Sequence, residues 1–195
     1  MPAPKTFAHN TPLLLVRRHL THTYRELRAQ PVAKPFVQTF VGLLATWATT
    51  FQTDFDLEDQ VDAAASDERS VDSKLNRVAR TLSKEMDLLV GAGKPAALRT
   101  HFFGDDPLHI FIRPILSGQL AAMRTWIEPL AKSEHKAFND LGLELAGLIT
   151  EADAAIAARG AAEKALDESR RLGARKAFID EVNTKRKETY AGLSA

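Results

Sequence analysis

Apolar positions recur every three or four residues along most of this chain, the spacing that gathers them on one side of an α-helix. Leu13, Val16, Leu20, Tyr24 and Leu27 form the first such stripe. Thr11 is placed to cap it and Pro12 suits a first helical position, so a helix is expected from Thr11 to about Ala29. Pro31 and Pro35 then punctuate the chain before a second stripe of Phe36, Val37, Phe40, Val41, Leu44, Trp47, Ala48 and Phe51. Val71, Leu75, Val78, Leu82, Met86 and Leu89 mark a long, otherwise charged helix expected to stop at Gly91. Around Ser66 and Asp67 the pattern fits either a turn or the polar surface of one longer helix.

Downstream, Pro95 is expected to open a short helix reaching about Phe103. Gly104-Asp105-Asp106-Pro107 reads as a turn in which Asp106 caps the next helix. Pro114 and Pro129 interrupt the next stretch of chain, which predicts two segments or one kinked helix between Pro107 and Leu130. From Ser133 a stripe of Phe138, Leu141, Leu145, Leu148, Ala152 and Ile156 predicts another helix. Gly160 is expected to separate it from a last helix carrying Leu166, Leu172, Ile179 and Val182. No alternating strand pattern occurs. The expectation is an all-α fold, an antiparallel bundle of about five or six helices forming one domain over residues 1–195, with a flexible arm at 1–10.

A weak internal similarity runs through this pattern. Lys34-Pro35 precedes Thr46-Trp47 as Arg113-Pro114 precedes Thr125-Trp126, with twelve residues from proline to tryptophan in each case. A duplicated helical hairpin, residues 34–90 and 113–182, would explain it, and so would the ease with which helices of similar composition align. On either account Trp47 and Trp126 are expected to anchor the core.

Charge adds a second layer. The 195 residues hold 26 Lys plus Arg against 25 Asp plus Glu, for a net charge of +1. That balance conceals opposed blocks: residues 1–34 sum to +5, residues 35–53 to zero, residues 54–72 to −7 and residues 159–195 to +3. The basic first and last helices are therefore expected to lie near the acidic 54–72 segment. With no cysteine, disulfides, thiolate zinc sites, iron–sulfur clusters and thiol catalysis are excluded.

The uncharged stretch between Lys34 and Asp54 is polar on one side, at Gln38, Thr39, Gly42, Thr46, Thr49 and Gln52, so it reads as an amphipathic helix and not as a membrane span. A threonine-rich face without charge is unusual for a solvated surface. Gln38, Thr39, Thr46 and Thr49 are therefore expected to sit centrally in the fold or against a partner. The N-terminal residues lack the long apolar run of a secretory signal, which makes a cytoplasmic location and no membrane partner the expectation.

Candidate chemistry is sparse. His19, His22 and Glu26 share one edge of the first helix and could hold a metal, although a polar edge flanked by Arg17, Arg18, Arg25 and Arg28 accounts for them more simply. His101, Asp105, Asp106 and His109 combine imidazole and carboxylate around one turn and form a second candidate metal site. Asp54, Asp56, Glu58, Asp59 and Asp62 imitate the start of a calcium loop, but Asp59 stands where glycine is required and Ala65 where a bidentate glutamate is. Gly91-Ala92-Gly93-Lys94 lacks the first glycine and the Ser or Thr of a phosphate loop. Arg170, Arg171, Arg175 and Lys176 could meet nucleic-acid phosphates, yet six acidic residues share the stretch from Arg159 onward. No catalytic constellation and no cofactor motif is present. The expected function is a non-enzymatic helical scaffold or interaction module, working as a homo-oligomer or with a protein partner. The alternatives are a metal- or small-ligand-binding bundle and nucleic-acid binding through the first and last helices.

Overall fold

The computed structural model describes residues 6–90, 96–104, 106–113, 116 and 118–194, and every regular element among them is helical. In chain order these are α1 (Leu13–Ala29), a single 3₁₀ turn (Pro31–Ala33), α2 (Lys34–Val90), α3 (Ala96–Phe103), α4 (Leu108–Phe111), α5 (Gln119–Ala131), α6 (Lys136–Arg171) and α7 (Ala174–Ser194). The fold is the expected all-α helical bundle. Among the described residues no helix is long and apolar enough to cross a membrane. The chain groups into two compact units, Met1–Val61 with Ala162–Ala195, and Asp62–Ala161, each with its own hydrophobic cluster.

In the first unit α1 starts at Leu13, with Pro12 as N-cap and no side-chain cap, slightly later than the Thr11 start expected. Its buried stripe is Leu13, Val16, Leu20 and Leu27, with Tyr24 half-buried. The matching stripe of α2 is Phe40, Leu43, Trp47, Thr50 and Asp54, rotated from the one predicted: Leu44 is only half-buried and Val41 is exposed. Trp47 sets this rotation. Its indole Nε1–H donates to the Leu13 carbonyl at 2.8 Å, Phe51 stacks on its ring at 4.9 Å, and the Arg17 guanidinium lies 4.7 Å above the ring centre. Phe178, Ile179 and Val182 of α7 complete the cluster, whereas Leu172, expected in this stripe, is 81% exposed just beyond the end of α6.

The flexible arm expected over residues 1–10 is partly corrected. Residues 1–5 lie outside the described residues, but Phe7 is held by both its backbone groups. Its N–H donates to Asn183 Oδ1 at 2.8 Å and its carbonyl accepts from Asn183 Nδ2 at 2.9 Å. Arg186 covers the Phe7 ring, and His9 reaches Asp180 at 2.8 Å.

At Ser66 and Asp67 the second of the two alternatives holds, polar surface within one longer helix, and the break expected at Gly160 is absent. Neither proline nor glycine occurs between Gly42 and Gly91, so nothing stops α2 at Ser66 and Asp67. Nor does Gly160 separate two helices; α6 continues through it and ends only at Arg171, where the N–H groups of Leu172 and Gly173 both donate to the Glu168 carbonyl at 2.9 Å. A single exposed glycine costs about 1 kcal/mol against alanine, too little to break so long a helix. Pro129 likewise lies inside α5 instead of interrupting it.

In the second unit Trp126, 1% exposed, stands amid Phe102, Phe103 and Phe111, with ring centres 5.0–5.8 Å away. Val71, Leu75, Val78, Leu82 and Met86 supply the α2 side as expected; on α6 Ala155 is buried where Ile156 was expected, and Ile156 faces outward. Of the two alternatives for the stretch around Pro114, two segments or one kinked helix, residues 108–111 and 119–131 form the two segments; Pro114 itself lies outside the described residues. No side chain caps α4, so Asp106 does not serve the capping role assigned to it. Asp72 organises the turn before α5 instead, accepting from the Leu116 N–H, Gln119 Nε2 and Asn76 Nδ2.

Candidate functional site

The most concentrated chemistry in the first unit surrounds Asp54. This residue is the last inward position of the α2 stripe, fourteen residues and about four helical turns after Phe40. Its carboxylate accepts three guanidinium bonds: from Arg170 Nε at 3.0 Å, Arg170 Nη2 at 3.1 Å and Arg175 Nη1 at 2.7 Å. The Asp54 and Arg175 side chains are each 10% exposed and Arg170 is 34% exposed. Arg175 also donates from Nη2 to the Thr11 carbonyl at 3.2 Å, while its Nε–H is buried without an acceptor. Arg170 reaches a second carboxylate, Glu58, on the exposed side. Hydrogen bonding to Asp54 raises the Arg170 pKa above its ordinary value against the opposing effect of burial.

A cleft of about 590 Å³ opens here, bounded by these groups and by Pro12, Leu13, Leu14 and Phe51. The charge blocks of the sequence anticipated the basic first and last helices beside the acidic 54–72 segment; the charged contacts to Asp54 and Glu58 come from Arg170 and Arg175, in the C-terminal part of that expectation. No motif marked Asp54 and Arg175 as a pair, since 121 residues separate them.

A different surface lies on the outer side of α2. Gln38, Gly42, Ala45, Thr49 and Gln52 follow one another at intervals of three and four, all exposed, flanked by exposed Val41, Thr46 and Ala48. From Gln38 to Gln52 this strip is about 21 Å long at the α-helical rise. It carries no charge. Of the predicted interaction face, Gln38, Thr46 and Thr49 are exposed and Thr39 is half-buried, so the face is not central in the fold.

The remaining predicted residues are dispersed. Among the described residues no group of three His, Asp or Glu side chains is arranged to hold a metal ion. His19, His22 and Glu26 are all exposed on α1; His22 and Glu26 line a cleft of about 270 Å³ with Leu27 and Phe40, whereas the His19 ring lies 5.4 Å from Phe7. His101 packs edge-on to Phe102 in α3 and His109 sits on α4; Asp106 is exposed and Asp105 lies outside the described residues. Residues 91–94, the imperfect phosphate-loop pattern, also lie outside them. Asp54, Asp56, Glu58, Asp59 and Asp62 stand on continuous helix, which lacks the loop geometry a calcium site requires. The four candidate phosphate-binding cations are engaged by carboxylates: Arg170 and Arg175 by Asp54, Arg171 by Asp167 at 2.7 Å and Lys176 by Asp180 at 2.7 Å.

Comparison of the chain with protein-family models, with curated proteins and with solved structures finds no match, so the functional reading rests on these surfaces alone.

Proposed function

We propose that this chain is a non-enzymatic helical interaction protein that associates with a second copy of itself through the uncharged outer face of α2. The observation that carries the reading is the exposed strip Gln38, Gly42, Ala45, Thr49 and Gln52, which holds no charge although the other long helices, α1, α6 and α7, are rich in charged residues. In a two-fold contact centred on the strip, the residues beside the axis, Ala45 and Thr46, face their own copies, so a charge placed there meets its like. A charge-free strip escapes that repulsion, and its small side chains at Gly42, Ala45 and Thr49 let a second helix approach closely. The neutral amides and hydroxyls at Gln38, Thr46 and Gln52 can hydrogen-bond to their counterparts at the rim.

Light scattering across a concentration series tests this, with Ala45→Glu and Thr46→Glu as exposed substitutions that place like charges face to face. The expected result is a mass of twice 21.5 kDa for the parent chain and 21.5 kDa for both variants, with helical content and thermal midpoint of the variants unchanged at low concentration. A parent chain that stays at 21.5 kDa at every concentration, or variants that dimerise as the parent does, would overturn the proposal.

A further inference from the structure

We infer that the cleft beside Asp54 binds a small molecule that joins an oxyanion, a carboxylate or a phosphate group, to an apolar body. Its inner end holds two guanidinium groups against one buried carboxylate. Asp54 satisfies part of Arg170 and part of Arg175, but the Arg175 Nε–H remains buried and without an acceptor. Arg175 is the second residue of α7, whose first turn contains no acidic side chain, so the positive end of that helix adds to the same field. Guanidinium groups fixed by packing present their N–H donors in the planar arrangement that carboxylates and phosphates accept.

The other carboxylate on Arg170 differs from Asp54 in kind. Glu58 is 52% exposed on the rim, against 10% for Asp54, so it is held by one contact in water and can swing away. An incoming oxyanion takes the place of Glu58 on Arg170 while Asp54 keeps the two arginines in position. The rest of the cleft is apolar where Leu13, Leu14 and Phe51 line it, and Leu14 is 60% exposed although it is a large aliphatic residue. A cleft of about 590 Å³ lies within the range of small-molecule sites. Arg171 and Asp167, paired at 2.7 Å, also line the cleft and offset each other, so Arg170 and Arg175 recognise the oxyanion while Leu13, Leu14 and Phe51 receive the hydrocarbon.

Calorimetric titration at low salt with octanoate, octyl phosphate and octylammonium tests the inference. Saturable binding of octanoate, octyl phosphate or both is expected, and whichever binds more tightly identifies the head group; octylammonium is expected not to bind. Glu58→Gln, which removes the competing carboxylate, should tighten binding of the anionic probes several-fold. Arg170→Gln should weaken it about ten- to a hundredfold, the loss of a charge-assisted hydrogen bond. Leu14→Asp, a change at a side chain 60% exposed that takes no part in the Asp54–Arg175 bond, should weaken both probes without lowering the melting temperature. The inference is overturned if neither anionic probe binds, if octylammonium binds as tightly, or if Glu58→Gln weakens binding. The dimer reading is unaffected by any of these outcomes, because the cleft and the uncharged strip share no residue.

Discussion

Asp54 on α2 and Arg175 on α7 meet at 2.7 Å across 121 residues of chain, with 10% of each side chain exposed. Exposed ion pairs contribute little, since water and salt screen them and long side chains lose freedom in forming them. A pair buried to this extent behaves differently. Its formation in the fold is nearly balanced by desolvation, but its disruption leaves a charge in a poorly solvated place.

Asp54→Ala is accordingly expected to destabilise the protein by about 3 to 5 kcal/mol. Most of this arises at Arg175, because Arg170 is 34% exposed and retains Glu58. The double change Asp54→Leu with Arg175→Met should recover much of the loss, as replacing both members of a buried pair leaves no stranded charge. Denaturant midpoints of the two variants check this; equal loss in both would show that the pair itself supplies the stability.

Trp47 fills the core and also donates to the Leu13 carbonyl at 2.8 Å. Trp47→Ala should cost about 3 to 5 kcal/mol, the range for a large buried aromatic. Trp47→Phe keeps most of the apolar volume and loses the donor, so its cost should fall nearer 1 to 3 kcal/mol. Urea denaturation separates the two, and an unchanged midpoint for Trp47→Ala would contradict the packing described.

Two glycines of α6 are expected to respond with opposite sign. A Cβ added at Gly142 would lie 2.6 Å from the Ala131 backbone nitrogen, so Gly142→Ala must push two backbones apart and should destabilise by about 1 to 3 kcal/mol. At Gly160 nothing lies within 4 Å, and Gly160→Ala should stabilise by about 0.4 to 1 kcal/mol through helix propensity and a less disordered unfolded chain. Thermal midpoints moving in the same direction would refute this contrast.

Asp180 accepts a hydrogen bond from Lys176 and, secondarily, from His9, and these hold its pKa below the usual 3.8. A carboxylate whose folded value is depressed stabilises the fold above its unfolded pKa, and that contribution disappears as pH falls through the folded value. Carboxyl NMR should therefore place the Asp180 midpoint below 3.8, and Lys176→Met should move it upward. Parent and Asp180→Asn stabilities should converge on acidification from pH 5 downward. A midpoint unmoved by Lys176→Met would assign the shift to another group.

Much of the local structure was legible because helical periodicity is written in nearest neighbours on one face. Leu13, Val16, Leu20 and Leu27 are buried as their spacing predicts, as are Leu75, Val78 and Leu82, and both tryptophans are core residues. Helix ends were less legible. Gly160 resembled a boundary because glycine weakens a helix, but its cost falls on one residue while the hydrogen-bonded ladder on either side is cooperative. The α2 face was legible as uncharged, but its exposure was not. Which side of α2 turns inward depends on Trp47 finding the Leu13 carbonyl, a contact between elements.

The order of residues alone determined the all-α class, the apolar stripes, the charge-free segment between Lys34 and Asp54, and the opposition of acidic and basic blocks. These are properties of composition and of contacts within one or two helical turns. Only the tertiary structure decided that Asp54 would share its carboxylate between Arg170 and Arg175, that Phe7 would be held by Asn183, and that Gln38, Thr46 and Thr49 would face outward. Each of these depends on residues brought together from distant parts of the chain, where burial and geometry select among many pairings that local pattern leaves equivalent.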